Sequence, residues 1–192
     1  MAAPRILAFA GSTRVESFNK KLVAIAAAGA RGAGAEVTVI DLRDYPLPLF
    51  DEDLEKAHGL PENGRKLKDL FLAHQGLMIS SPEYNSSISA VLKNSIDWVS
   101  RPASNEAPLG CFAEKVAVLM AASPGALGGL RGLVTLRSLL GNIKVTVLPD
   151  QTAISSAHEA FTSDGSLKDA GKQKAVLGLG EKLAKTLSRL HG

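Results

Sequence analysis

The sequence contains a single cysteine, Cys111, in 192 residues. One cysteine excludes an internal disulfide and any site that needs two thiols, such as a CxxC metal or redox motif. Electron transfer by this chain would therefore need an added cofactor. The simplest interpretation of Cys111 is a free and inert thiol.

Long apolar runs are also missing. No stretch approaches the roughly 20 uninterrupted apolar residues of a membrane span, and residues 1–5 do not have the layout of a signal peptide. The formal net charge is only +3, and the basic residues are scattered, which argues against nucleic-acid binding. We therefore expect a soluble, cytoplasmic protein with no membrane insertion, no nucleic-acid partner and small molecules as ligands.

Catalytic side-chain patterns are absent too. No GxGxxG motif occurs, and no nucleophile, acid and base stand in a recognisable arrangement. The histidines show no metal-ligand spacing, so we predict no metal and no catalytic side chain; they are His58, His74, His158 and His191. Chemistry without such groups is typical of proteins in which a cofactor performs the reaction.

What the sequence does contain is a regular alternation of apolar strands and amphipathic helices. The pattern predicts strands at 5–10, 36–40, 76–81, 115–122 and 144–148, and helices at 17–32, 63–74, 89–99, 129–140 and 170–190. Residues 41–59, with Pro46 and Pro48, read as a long surface loop. Continuous apolar strands separated by helices indicate a doubly wound α/β fold with a parallel sheet, and the length favours one domain over residues 1–192.

In such a sheet, ligands bind beyond the carboxyl ends of the strands, where the strand order reverses. The loop after the first strand, residues 11–19 (GSTRVESFN), combines hydroxyls, a guanidinium and an amide at a helix N-terminus, which suits a monoester phosphate. The candidate ligands are Gly11, Ser12, Thr13, Arg14, Ser17, Phe18 and Asn19. The alternative is an ordinary turn in which Ser17 caps the helix and Arg14 is solvated.

Two further loops open at the same predicted edge. After the third strand, a rigid proline-started turn offers backbone groups and an aromatic ring; its candidates are Pro82, Glu83, Tyr84, Asn85 and Ser86. After the fourth strand, the glycines of SPGALGGLR allow a planar ligand to approach the backbone; the candidates there are Ser123, Gly125, Gly128 and Gly129. Alternatively, these loops are a plain strand-end turn and a flexible loop whose glycines serve helix packing.

Together these motifs resemble those of the NADPH-dependent FMN reductase family, which includes flavodoxin-like quinone, chromate and azo-dye reductases. The similarity lies in GSTRxxSxN, PEYN, LKNxIDW and SxGxxGGxR and extends over about residues 5–189. The resemblance implies a flavodoxin-like five-stranded parallel sheet of order 2-1-3-4-5 with helices on both faces. It also implies bound flavin mononucleotide (FMN), with the phosphate at the first loop and the ring at the other two.

The same resemblance implies that NADPH or NADH donates a hydride to FMN and that electrons pass to a small acceptor, namely a free flavin, a quinone, an azo compound or chromate. It further implies a homodimer or homotetramer with the flavin near the subunit boundary, and a role for Arg131 in subunit contacts or nicotinamide-phosphate binding. Two alternatives remain open at this point. One is a flavodoxin-type electron carrier without NAD(P)H turnover, and the other is a flavin-free scaffold.

Overall fold

A five-stranded parallel sheet forms the centre of the computed structural model, which describes residues 2–102 and 106–191. The strands are β1 (Arg5–Ala10), β2 (Glu36–Asp41), β3 (Gly76–Ser80), β4 (Glu83–Tyr84), β5 (Ser87–Ile88), β6 (Val116–Ala122) and β7 (Thr146–Ile154). Strands β4 and β5 pair only with each other, as an antiparallel hairpin. The other five lie in the order β2-β1-β3-β6-β7, which confirms the predicted order 2-1-3-4-5.

Helices cover both faces of this sheet, also as predicted. They are α1 (Phe18–Gly32), α2 (Glu52–His58), α3 (Glu62–Ala73), α4 (Ala90–Ser100), α5 (Leu130–Asn142), α6 (Ala157–Ala160) and α7 (Ala170–His191). Side chains of β1 alternate between two cores: Ile6 and Ala8 pack with α1 and α7. Leu7 and Phe9 pack instead with α3, α4 and α5. Each strand of a doubly covered sheet is therefore apolar throughout, which explains the continuous apolar runs.

The segment 41–59, predicted to be a loop, contains a 3₁₀ helix (Leu42–Asp44) and helix α2. Asp51 caps α2 by accepting a hydrogen bond from the Asp53 N–H at 2.8 Å. An aspartate at the N-cap favours the start of a helix. The nearby prolines had instead indicated a loop. The segment between the 3₁₀ helix and α2 packs on α4, because the Pro48 carbonyl accepts hydrogen bonds from Trp98 Nε1 and Asn94 Nδ2.

Helices α1 and α7 cross closely because glycines occupy their contact. A Cβ atom built on Gly180 would lie 1.9 Å from the Ala26 carbonyl oxygen, and one on Gly29 would lie 2.1 Å from the Leu177 carbonyl oxygen. Neither position can hold a larger residue without separating the helices. This contact fixes α1, whose N-terminus faces the carboxyl edge of the sheet.

The three loops singled out in the sequence begin side by side at that edge. The hydrogen bonds between the parallel strands continue one residue beyond the strand ends. The Gly11 N–H donates to the Ser80 carbonyl at 2.9 Å, and the Ser81 N–H donates to the Met120 carbonyl at 2.8 Å. The Ser123 N–H donates in the same way to the Ile154 carbonyl at 3.0 Å. Parallel strands in register thus bring residues from distant parts of the sequence to one edge.

Across the described ranges, no helix has both the length and the apolar character needed to cross a membrane. Cys111 is buried, and its Sγ donates to the Val99 carbonyl at 3.1 Å. Burial raises the pKa of the Cys111 thiol, so the uncharged form is favoured and its reactivity is low.

Candidate functional site

A cleft opens between the loops that follow β1, β3 and β6. Its volume is about 60 Å³, room for roughly four water-sized groups and hence for a phosphate. The residues that line it are Ser12, Arg14, Ser17, Phe18, Asn19, Pro82, Glu83, Tyr84, Ala122, Ser123 and Pro124. The fold thus brings members of all three predicted loops into one site.

The N-terminus of α1 points into this cleft. Ser17 occupies the N-cap position with extended backbone angles, φ −81° and ψ 124°, but its side chain makes no capping hydrogen bond within the described residues. The Ser17 side chain therefore does not cap the helix as the alternative interpretation expected, whereas Arg14 is exposed, as that interpretation also expected. The first turn of α1 has no acidic residue, so the first-turn N–H groups and the positive end of the helix dipole face the cleft uncompensated.

Arg14 places a cation at the mouth of the same cleft. Its backbone N–H donates to Ser12 Oγ at 3.3 Å, and its Nη2 donates to the Glu16 carbonyl at 3.4 Å. The guanidinium Cζ lies 6.0 Å from the centroid of the Phe18 ring. No carboxylate in the described ranges forms an ion pair with Arg14, so its charge is available to an anionic ligand.

Asn19 is part of the frame behind the cleft. Its Oδ1 accepts hydrogen bonds from Ser80 Oγ at 2.9 Å and from the Ala122 N–H at 3.0 Å, and its Nδ2 donates to the Ala122 carbonyl at 2.9 Å. The side chain is 3% exposed. Asn19 therefore ties α1 to β3 and β6, and this accounts for most of its hydrogen-bonding capacity.

Glu83 is the one acid among the lining residues, and it is already paired. Its Oε1 lies 2.8 Å from Arg131 Nη2, and its Oε2 accepts from the Gly132 N–H at 3.0 Å. Partial burial alone would raise the pKa of the Glu83 carboxyl, but the hydrogen bonds from Gly132 and Arg131 outweigh it and hold the pKa below its usual value. The carboxylate therefore does not oppose an anion in the cleft.

Hairpin β4–β5 carries Tyr84 and the turn residues beside the cleft. Asn85 and Ser86 both have positive φ angles, 51° and 66°, the backbone of a type I′ turn. Both are exposed and lie outside the cleft lining, whereas Tyr84 lines it and is 52% exposed. Ser89 is the N-cap of α4 and anchors the segment after the hairpin, because its Oγ donates to the Gly11 carbonyl at 2.6 Å and accepts from the Leu92 N–H at 3.2 Å.

The glycines of the loop after β6 differ in what surrounds them. A Cβ on Gly128 would lie 2.7 Å from Ser155 N, and one on Gly129 would lie 2.7 Å from Ala121 Cβ. Both also have positive φ angles, 63° and 97°, so they are required for packing against the sheet edge. Gly125 is exposed, and a Cβ built on it would lie 3.7 Å from Ser123 Oγ, an ordinary contact distance.

Two other predicted residues stand outside the cleft lining. Gly11 is buried behind it, and a Cβ there would lie 2.9 Å from Leu92 Cδ2. Thr13 is exposed on the surface. Sequence reasoning missed Ala122 and Pro124, which line the cleft, because the side chain of an alanine ending a strand or of a proline in a loop carries no functional signal.

The donors in the cleft fit a phosphate. A space of phosphate size is surrounded by the Ser12 and Ser17 hydroxyls, by a guanidinium that forms no ion pair within the described residues, and by N–H groups at a helix start. Tyr84, Pro82 and Pro124 give flat apolar surface beside them. The set lacks metal ligands, and nowhere in residues 2–102 and 106–191 do three or more histidine, cysteine or acidic side chains gather as a metal site would require.

Comparison with known proteins agrees with this chemistry. The sequence model of the NADPH-dependent FMN reductases matches residues 4–159. An NAD(P)H-dependent FMN reductase of Pseudomonas aeruginosa is 33% identical over 189 residues, 98% of this chain and 97% of that protein. A quinone reductase of Pseudomonas putida is 32% identical over 160 residues, 83% of this chain and 82% of that protein.

A solved structure adds a three-dimensional match. FerB, a flavoenzyme NAD(P)H:(acceptor) oxidoreductase from Paracoccus denitrificans, superposes with a TM-score of 0.79 at 26% sequence identity. The match covers 97% of this chain and 98% of that chain.

Proposed function

The chain belongs to the NADPH-dependent FMN reductase family, and from this membership we propose which residues hold FMN and which acceptor receives the electrons. The chain is an FMN-dependent oxidoreductase that uses NAD(P)H. The chemistry that FMN supplies when bound is to take a hydride from a nicotinamide nucleotide and to pass the electrons to a small acceptor. The protein contributes binding, orientation and electrostatics.

We propose that the phosphate of FMN binds at the start of α1. The observation that carries this assignment is the N-terminus of α1, which faces a cleft with Ser12, Ser17 and Arg14; within the described residues it has no side-chain cap, and Arg14 has no ion-pair partner. Two hydroxyl donors and a guanidinium supplement the N–H groups of Phe18 and Asn19. Thr13 and the backbone of Gly11 complete the loop that carries these donors.

The isoalloxazine ring is proposed to lie across the other two loops. Pro82 to Ser86 would offer backbone groups to its pyrimidine edge, and Tyr84 would offer a ring face or edge. Ser123 and Gly125 would border it from the opposite side, since Gly125 is exposed and carries no side chain. Gly128 and Gly129 would act by shaping this loop. N–H donors here would stabilise the negative charge that reduced flavin gains.

We propose a quinone as the acceptor. This rests on the quinone reductases among the relatives and on the chemistry of the cleft, where a small planar acceptor can meet the flavin beside Tyr84 and Pro124. Oxidised nucleotide would leave before the acceptor enters, which gives ping-pong kinetics. No side chain in this scheme acts as an acid, base or nucleophile.

The proposal includes a cytoplasmic homodimer or homotetramer built from one domain per chain. Support for self-association comes from exposed apolar residues next to the cleft, on and before α5. These are Leu127, Leu130 and Val134, exposed by 50%, 41% and 65%. Such a cluster indicates a contact surface.

The experiment that tests this function mixes the purified, FMN-loaded protein anaerobically with NADPH and, separately, NADH. We expect the flavin absorbance to bleach within the turnover time and to return when benzoquinone is added. We also expect a higher kcat/KM for benzoquinone than for free FMN. A flavin that stays oxidised with both nucleotides would instead support an electron carrier, and a colourless protein that takes up no FMN would support a scaffold.

A further inference from the structure

Two neighbouring side chains of the first loop, Arg14 and Phe18, form a stack beside the cleft with Phe161, which is distant in sequence. The rings of Phe18 and Phe161 are stacked, with centroids 6.0 Å apart and planes inclined by 6°. The guanidinium of Arg14 lies 6.0 Å from the Phe18 centroid. Phe161 lies beyond residues 4–159, the part of the chain that the family model matches.

Phe161 is held by a closely bonded hairpin. It forms a bridge with Leu167, and the Thr162 N–H donates to the Ser166 carbonyl at 2.8 Å. Asp164 Oδ1 accepts from the Ser166 N–H at 3.0 Å and closes the turn. Phe161 and Leu167 both pack against the core shared by α1 and α7, so the ring has a fixed place.

This fixed ring restrains Phe18, which is half-buried and lines the cleft. Parallel rings at this spacing form a favourable aromatic pair. Phe18 in turn offers its π-system to Arg14, whose side chain is exposed and has no ion-pair partner in the described ranges. A cation over an aromatic ring is attracted by the ring quadrupole. This contact and the hydrogen bond from Nη2 to the Glu16 carbonyl together keep the guanidinium next to the cleft.

We propose that Phe161 is a positioning residue for the phosphate of FMN, acting through Phe18 on Arg14. The inference rests on the proposed phosphate site. It extends that site to a segment that lies outside residues 4–159, which the family model matches. Phe161 does not line the cleft. Its removal therefore affects the phosphate alone, and the flavin ring should bind as before.

The test compares FMN with riboflavin, which lacks the phosphate, in fluorescence titrations of the flavin-free protein. Phe161→Leu should weaken FMN binding about two- to fivefold, the range expected for one cation–π contact, and leave riboflavin binding unchanged. Phe161→Tyr keeps the ring and should restore the FMN affinity. In an Arg14→Ala background, Phe161→Leu should have no further effect, because both changes remove the same interaction.

The matched control is Phe50→Leu. Phe50 lies under Arg101, with the guanidinium Cζ 5.3 Å from its centroid, and it packs edge-on against Trp98. This change removes an equivalent aromatic and cation pair outside the cleft lining and should leave the ratio of FMN to riboflavin affinity unchanged. If Phe161→Leu does not fold, Phe161→Met serves the same comparison, because its unbranched side chain adapts more easily to the space of the ring.

The results that would contradict the proposal can be told apart. If Phe161→Leu weakens FMN and riboflavin equally, changes neither, or adds to Arg14→Ala, then Phe161 does not position Arg14 and the inference is overturned. If Arg14→Ala itself leaves FMN affinity unchanged, then the phosphate assignment fails first. The two failures are therefore distinguishable.

Discussion

The Glu83 carboxylate and the Arg131 guanidinium lie 2.8 Å apart, Oε1 to Nη2, and join hairpin β4–β5 to the start of α5. The second carboxylate oxygen accepts from the Gly132 N–H at 3.0 Å. The loop after β3 and the loop after β6 are thus fixed to each other. The site depends on this link, because the proposed ring-binding surface is divided between these two loops.

Glu83→Gln is expected to loosen the hairpin. The variant loses the charge that pairs with Arg131, and a partly exposed ion pair contributes up to about 1 kcal/mol. We expect weaker FMN binding and faster hydrogen exchange at the Gly132 amide, which donates to the Glu83 carboxylate. Asp97→Asn breaks the exposed Lys93–Asp97 pair on α4 and is the control. Unchanged amide exchange in Glu83→Gln would disprove the link.

The Glu83 interaction should also depend on pH. Because the pKa of this carboxyl is lower in the folded protein than its ordinary value of 4.5, its stabilising contribution is complete above that value. It is lost as the pH falls through the folded pKa. The difference in unfolding free energy between wild type and Glu83→Gln should therefore shrink with acidification below pH 4.5. Denaturant titrations at several pH values measure it, and a constant difference would contradict the assignment.

Arg14→Ala combined with Ser17→Ala should weaken FMN binding by at least about 1.5–3 kcal/mol, the contribution of one hydrogen bond to a charged group. Riboflavin binding should not change, since the lost partners face the phosphate. Arg189→Ala, which removes an exposed arginine from the end of α7, is the matched control. Flavin fluorescence titration gives all of these affinities, and equal losses for FMN and riboflavin would place the phosphate elsewhere.

Asn19→Ala should affect stability more than ligand contact. The change leaves the buried Ser80 hydroxyl and the Ala122 N–H and carbonyl without their partner, at about 1–3 kcal/mol for each unsatisfied group. We expect a large fall in the free energy of unfolding in the absence of flavin. Asn142→Ala, at the exposed end of α5, should be nearly neutral. A stable Asn19→Ala protein that fails only in FMN binding would make Asn19 a direct ligand.

The crossing of α1 and α7 offers a test within one helix. Gly180→Ala would place a Cβ 1.9 Å from the Ala26 carbonyl oxygen and should destabilise by about 3 kcal/mol or more, as overpacking does. Gly178→Ala meets no atom within 4 Å and should stabilise by about 0.5–1 kcal/mol through helix propensity. Thermal unfolding of both variants checks the opposite signs.

Local patterns in the sequence were sufficient for the fold and for the three loops that meet in the candidate site. Short apolar runs such as β3 and β6 are typical of strands buried on both faces, and their alternation with helices indicated the doubly wound sheet. The loop of Arg14 and Ser17 was recognisable because anion binding at a helix start uses residues adjacent in sequence. Short elements with weak signals, such as α2 and hairpin β4–β5, were missed, because caps and turns rather than hydrophobic periodicity determine them.

The roles of individual side chains were decided by tertiary structure alone. Asn19 looked like a phosphate ligand, yet its carboxamide bonds to Ser80 and Ala122. Gly128 looked like a surface for a planar ligand, yet its missing Cβ makes room for Ser155. Phe161 stands in a mainly polar segment of the sequence, yet its ring packs on Phe18. Sequence spacing describes neighbours along the chain, whereas these contacts join residues that only the sheet and its helices bring together.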